Sequence, residues 1–138
     1  MSKTGKQVQG DVYRLLKGST LLSMVSGGVF RNGTRPRDSR KEDIVVTFTA
    51  GLSGQVQTGV VTLNIYVPAI DPYENGVYVE DGARCEEIEI LASDWVDEIS
   101  QTVCDYQFEP SEMIQTFFDS DINQSFVSVK INFRILSE

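Results

Sequence analysis

Asp119, Asp121 and Asn123 stand at the spacing of the first three oxygen ligands of a calcium loop. The pattern breaks where the geometry is most demanding. Its sixth position is Gln124, where the sharp turn needs glycine, and its twelfth is Lys130, where a bidentate carboxylate belongs. A polar turn whose Asx side chains bond their own backbone uses the same residues, so no metal site is expected. Gly27-Gly28 and Gly51-Leu52-Ser53-Gly54 are glycine-rich. Neither is followed by the Gly-Lys-Ser/Thr that holds phosphate and magnesium, and both read as turns. Glu86, Glu89 and Asp97 could pair for acid–base work, yet they lie on a helix surface with no sign of the burial that shifts a carboxyl pKa. Residues 1–10 are polar, so no secretory leader is expected, and Cys85 and Cys104 are expected as reduced, buried packers. The chain has no histidine. That removes the commonest general base, the commonest metal ligand and the usual activator of a serine or cysteine nucleophile. The expectation is a protein that is not an enzyme and holds no cofactor.

What remains is charge, and it is sorted along the chain. Residues 1–43 carry nine Lys and Arg against four Asp and Glu, a net +5. Residues 71–121 carry fifteen carboxylates against Arg84 alone, a net −14. Lys130, Arg134 and Glu138 complete the overall −8. Two patches follow. Arg31, Arg35, Arg37, Arg40 and Lys41, set among Gly, Pro, Ser and Asn, predict an exposed basic arm over 31–43 that buries too little to order alone. It is either a loop kept soluble by charge or an arm that orders against acidic protein or nucleic acid. Glu86, Glu87, Asp94, Asp97 and Glu98 predict an acidic helix face, either solvated or meeting a basic partner. Such polarity does little for a folded monomer. It suits a protein that docks one copy on the next or presents its basic end to a polyanion. No helix-turn-helix, zinc finger or aromatic platform points to base readout, and backbone contact needs only charge.

The elements that must position these patches are legible in the hydrophobic pattern. The chain has 138 residues, the length of one domain, and no apolar run long enough to span a membrane. Val8, Val12, Leu15 and Leu16 make one stripe of a helix that Gly18 stops, and Ser19 caps a short second turn. Residues 44–50 and 56–67 predict a strand hairpin, with Val61, Leu63, Ile65 and Val67 alternating inward. Residues 71–82 form a loop insertion, with a short strand at 77–79. Residues 83–103 predict a long helix through Cys85, Ile88, Ala92, Trp95 and Ile99, and 104–108 a short strand. Residues 113–118 and 126–136 predict a second hairpin with an unbroken stripe from Val127 to Ile135. The expected fold class is α+β, a mostly antiparallel sheet with two helices packed on one face, in a single domain over 1–138.

The order of elements and the wording of several segments resemble the tail-completion or tail-terminator proteins of long-tailed bacteriophages and prophages. The residues that carry the resemblance are 11–17 with Leu21-Leu22 and 27–30, then 44–48 and 61–67, and finally 108–110 and 115–119 leading into 127–136. The resemblance implies a mixed α/β sandwich and a structural role without catalytic residues. It implies a homo-oligomeric ring, commonly a hexamer, that ends the tail tube and faces the head connector. Partners would be tail-tube and connector proteins, with DNA close by in the pore and no membrane. The place would be the bacterial cytoplasm during assembly and then the virion tail. The insertion at 71–82 departs from the family by its length. A rival expectation is an acidic DNA mimic, or another small interaction module that binds a protein partner.

Overall fold

The computed structural model describes residues 3–52, 56–103 and 105–136. Helix α1 (Gly5–Lys17) opens on a reciprocal cap, in which the Thr4 hydroxyl accepts the Gln7 N–H and the Gln7 side chain accepts the Thr4 N–H. Val8, Val12 and Leu16 form its buried stripe, while Lys6, Arg14 and Lys17 are exposed. Ser19 caps the short α2 (Thr20–Ser23), which seats Leu21 in the core. There follow β1 (Val29–Arg31), β2 (Ile44–Leu52), β3 (Val56–Pro68), α3 (Gly82–Thr102), β4 (Tyr106–Pro110), β5 (Gln115–Asp119) and β6 (Gln124–Leu136). Cys104 lies outside the described residues.

The described residues make three helices and one six-stranded sheet of order β1-β2-β3-β6-β4, with β5 paired to the first part of β6. All pairings are antiparallel except β1 on β2. The class is α+β. Strand alternation puts Ile44, Val46, Val61, Leu63, Ile65, Val67, Val127, Val129, Ile131 and Phe133 on one buried face. All three helices contribute to the same apolar cluster. Helix α1 lies over β1 and β2, and α3 lies over β4, β5 and β6 through Cys85, Ile88, Ala92, Trp95, Val96 and Ile99. The two long helices therefore share one face of the sheet.

The sheet has one irregularity with a clear cause. Register slips by one residue at Thr49, so that Phe48 faces Val61 while Ala50 faces Val60. Next to the slip, paired with Gly51, stands Gly59, where a Cβ would come 2.3 Å from the Ala50 carbonyl and 2.7 Å from the Phe133 ring. Only glycine lets the two strands and that ring close up. The other face of the sheet carries Thr62, Asn64, Tyr66, Phe126, Ser128 and Asn132. Among the described residues no helix is long and apolar enough to cross a membrane.

The short helix capped by Ser19 is as expected. The architecture differs from the sequence expectation in two places. Residues 29–31, read as the start of a free arm, form the outer strand β1 instead. The expected strand at 77–79 is reduced to a single bridge between Ile70 and Val79.

Candidate assembly interface

The basic segment is not a free arm. Arg35 reaches across the uncovered face of the sheet. Its Nε lies 2.9 Å from Asp43 Oδ2, a terminal nitrogen donates to Gln124 Oε1 at 2.9 Å, and the guanidinium sits 3.9 Å over the Tyr66 ring. Its side chain is only 13% exposed, and that of Asp43 2%. Behind Arg35 the aromatic contact continues from Tyr66 to Phe126 at 6.0 Å and on to Phe117 at 5.5 Å, crossing three strands. Arg31 donates to Gln9 Oε1 at 2.9 Å and to the Lys6 carbonyl at 2.6 Å. Arg40 donates to the Ile122 carbonyl at 2.7 Å. Of the five expected interface cations, Arg37 and Lys41 remain exposed with no side-chain partner among the described residues. This mostly polar segment can order here because it lies on an existing sheet face, which lowers the area it must bury itself.

Two buried carboxylates at the start of β2 anchor this arrangement. Burial alone would push Asp43 up, but the Ser39 hydroxyl, the Gly28 N–H and Arg35 outweigh it and hold its carboxyl below the usual range. Gly27 must be glycine here, since a Cβ would meet Asp43 Oδ1 at 2.2 Å and the Glu42 carbonyl carbon at 2.7 Å. Glu42 takes both prongs of Arg84, Nε at 2.7 Å and a terminal nitrogen at 2.8 Å. The Arg84 hydrogen bonds hold Glu42 below its usual range, with the Ser26 N–H assisting against burial. Arg84 also donates to the Met24 carbonyl, so it joins α3, α2 and β2. A third knot ties α1 to β4. Asp11 accepts from Lys3, Tyr106 and Arg14, and these bonds outweigh its burial and lower its pKa. Arg84, Tyr66, Gln124 and Lys17 were not expected at an interface from sequence. Arg84 had a signal: it is the lone base in the acidic half, and Glu42-Asp43 directly precede a buried strand.

The acidic helix face is where it was expected. Glu86, Glu87, Asp94, Asp97 and Glu98 are all exposed on α3, with Glu87 3.6 Å from Arg84. Ile90, 57% exposed, lies among them. Glu89 is different: it points back to the sheet and accepts the Thr116 hydroxyl at 2.7 Å. Cys85 is buried, and burial first, then Glu80, Asp81 and Glu89, push its thiol up to about 11, so it stays protonated and packs as an apolar group. In the 119–123 turn, Asp119 Oδ1 accepts the Asp121 N–H at 3.0 Å, and Asn123 sits at φ 51° with its carbonyl accepting from Ala69. That is the Asx turn of the polar-turn reading. A concavity of about 800 Å³ lies on the uncovered sheet face between Val60, Gln107, Glu109, Asn132 and Arg134.

Position follows charge. Lys6, Lys17 and Arg31 lie on α1 and β1, and the acidic face lies on α3, which packs over β4, β5 and β6 and is tied at its first turn to Glu42 through Arg84. The sorting seen along the chain is thus a sorting between the two long helices. No protein-family model matches the chain, and no curated protein is detectably similar to it.

Proposed function

We propose that this chain is a structural subunit of a phage or prophage virion that forms a homo-oligomeric ring at the end of the tail tube and takes part in tail termination and head–tail joining. The observation that carries the reading is the placement of opposite charge on two different helices packed on one sheet, cations on α1 and carboxylates on α3. A ring is a head-to-tail assembly, in which one patch meets a different patch of the next copy. A basic α1/β1 surface and an acidic α3 face are complementary in that sense, and their attraction would set orientation and speed of encounter. The resemblance of the segments quoted above supplies the biological setting. In that setting the chain assembles in the bacterial cytoplasm and ends in the virion tail, with Arg37 and Lys41 left free for a connector protein or for DNA in the pore.

The test is solution mass over a concentration series, followed by negative-stain imaging. The expected result is a closed ring of fixed copy number that caps purified tail tubes. A chain that stays monomeric at millimolar concentration and binds no tail tube would overturn the proposal. It would favour the acidic-mimic alternative if it also competed with DNA for an enzyme.

A further inference from the structure

Twelve large apolar side chains are exposed among the described residues, and five of them, Ile70, Tyr73, Val77, Tyr78 and Val79, stand in one loop. Tyr73 is 78% exposed and Val77 58%. A concentration of this kind marks a contact surface. The loop is also held in shape. Ile70 and Val79 exchange both backbone hydrogen bonds at 2.9 Å. The Asp71 carboxylate accepts the N–H groups of Asn75 at 3.1 Å and Gly76 at 2.9 Å, and Asn75 Oδ1 accepts from Val77. Its feet are tied by Ala69 to the Asn123 carbonyl and by Glu80 to the Ser125 hydroxyl. A loop already ordered loses little entropy when it docks.

Charge identifies the occupant. Residues 69–83 carry four carboxylates and no base. Between α1 and β1 lies a notch of about 380 Å³ lined by Tyr13, Lys17, Val29, Phe30, Arg31 and Thr34. It has an apolar floor and no acidic residue in its lining. Lys17 lies 5.6 Å over the Tyr13 ring, and Arg31 bonds only to a neutral amide and a carbonyl, so both positive charges are without a carboxylate among the described residues. An acidic, aromatic tip fits a basic, aromatic notch.

We propose that the 70–79 loop of one copy docks into the α1/β1 notch of the next, with Tyr73 and Val77 as the apolar anchors and Glu74 facing Lys17. The proposal rests on the ring reading and names the contact within it that carries affinity. The experiment measures the concentration of half-assembly by sedimentation for the wild type and for four variants. These are Tyr73→Ser with Val77→Ser, Glu74→Lys, Lys17→Glu, and the last two combined. All four positions are exposed, so thermal midpoints should match the wild type. The apolar double variant and each charge reversal should raise the half-assembly concentration about tenfold or more, and the combined swap should recover most of it. A wild type that assembles while every variant assembles equally well overturns the docking and leaves the ring reading standing. A wild type that never assembles overturns both.

Discussion

Arg35 meets a carboxylate, an amide and an aromatic face at once, and each partner comes from a different part of the chain. Truncating it leaves Asp43 charged and almost wholly buried, the situation in which breaking a buried pair costs about 3–5 kcal/mol. Arg35→Ala should therefore lower the unfolding free energy by that amount in urea titration, while Arg37→Ala and Lys41→Ala, at exposed positions, should change it by less than about 0.5 kcal/mol. Equal effects at all three positions would mean that the segment is not held by its arginine. The same carboxylates set the response to acid. Asp11, Glu42 and Asp43 have folded pKa values lowered below their ordinary ones. Each binds its proton more readily in the unfolded chain, so each favours folding fully above about pH 4–5 and ceases to do so as pH falls through the depressed folded value. The urea midpoint should stay level from neutral pH to about pH 5 and drop below about pH 4. Glu42→Gln should be less stable at neutral pH, because Arg84 loses its partner, and should show a shallower acid limb. An unchanged limb would remove Glu42 from the account.

Elements whose stability comes from periodic apolar residues could be read in the sequence, and those held by side-chain hydrogen bonds could not. The stripe Val127, Val129, Ile131, Phe133 and Ile135 announces β6, and every member is buried. Ile131→Ala should cost about 2–5 kcal/mol, as an emptied core site does, and Gly59→Ala should destabilise as well by forcing apart the Ala50 carbonyl and the Phe133 ring. A tolerated alanine at Gly59 would show that the register slip at Thr49 relaxes freely. Strand β1 escaped notice for a physical reason. It has three residues, too few for a period, and it forms because Gly28 and Asn32 bond to β2 at its two ends. The loop 32–43 misled for a related reason. Its composition is that of a solvated segment, and its order depends on Asp43, Tyr66 and Gln124, of which the last two are distant in sequence. Of the candidate interface, the acidic half was legible because helical spacing alone exposes it. The notch between α1 and β1 was not, since it exists only once the parallel pairing has formed.

At the scale of the whole molecule two forces would share the work of assembly, and they respond to salt in opposite ways. The α3 carboxylates and the α1/β1 cations attract over a distance that shrinks to about 8 Å at physiological ionic strength, so their part weakens as sodium chloride is added. The apolar tip at Tyr73 and Val77 is insensitive to screening and is strengthened by sulfate, which is excluded from apolar surface. Replacing Glu86, Glu87, Asp94, Asp97 and Glu98 by their amides leaves the buried stripe of α3 untouched, because all five are exposed. This variant should associate more slowly at low salt and lose most of its dependence on sodium chloride, yet still respond to ammonium sulfate as the wild type does. Stopped-flow light scattering over a salt series separates the two effects. If neutralising the five carboxylates changes neither rate nor salt dependence, the acidic side of α3 is a solvated face that keeps the chain soluble, and the orientation of neighbouring copies must come from the docking loop alone.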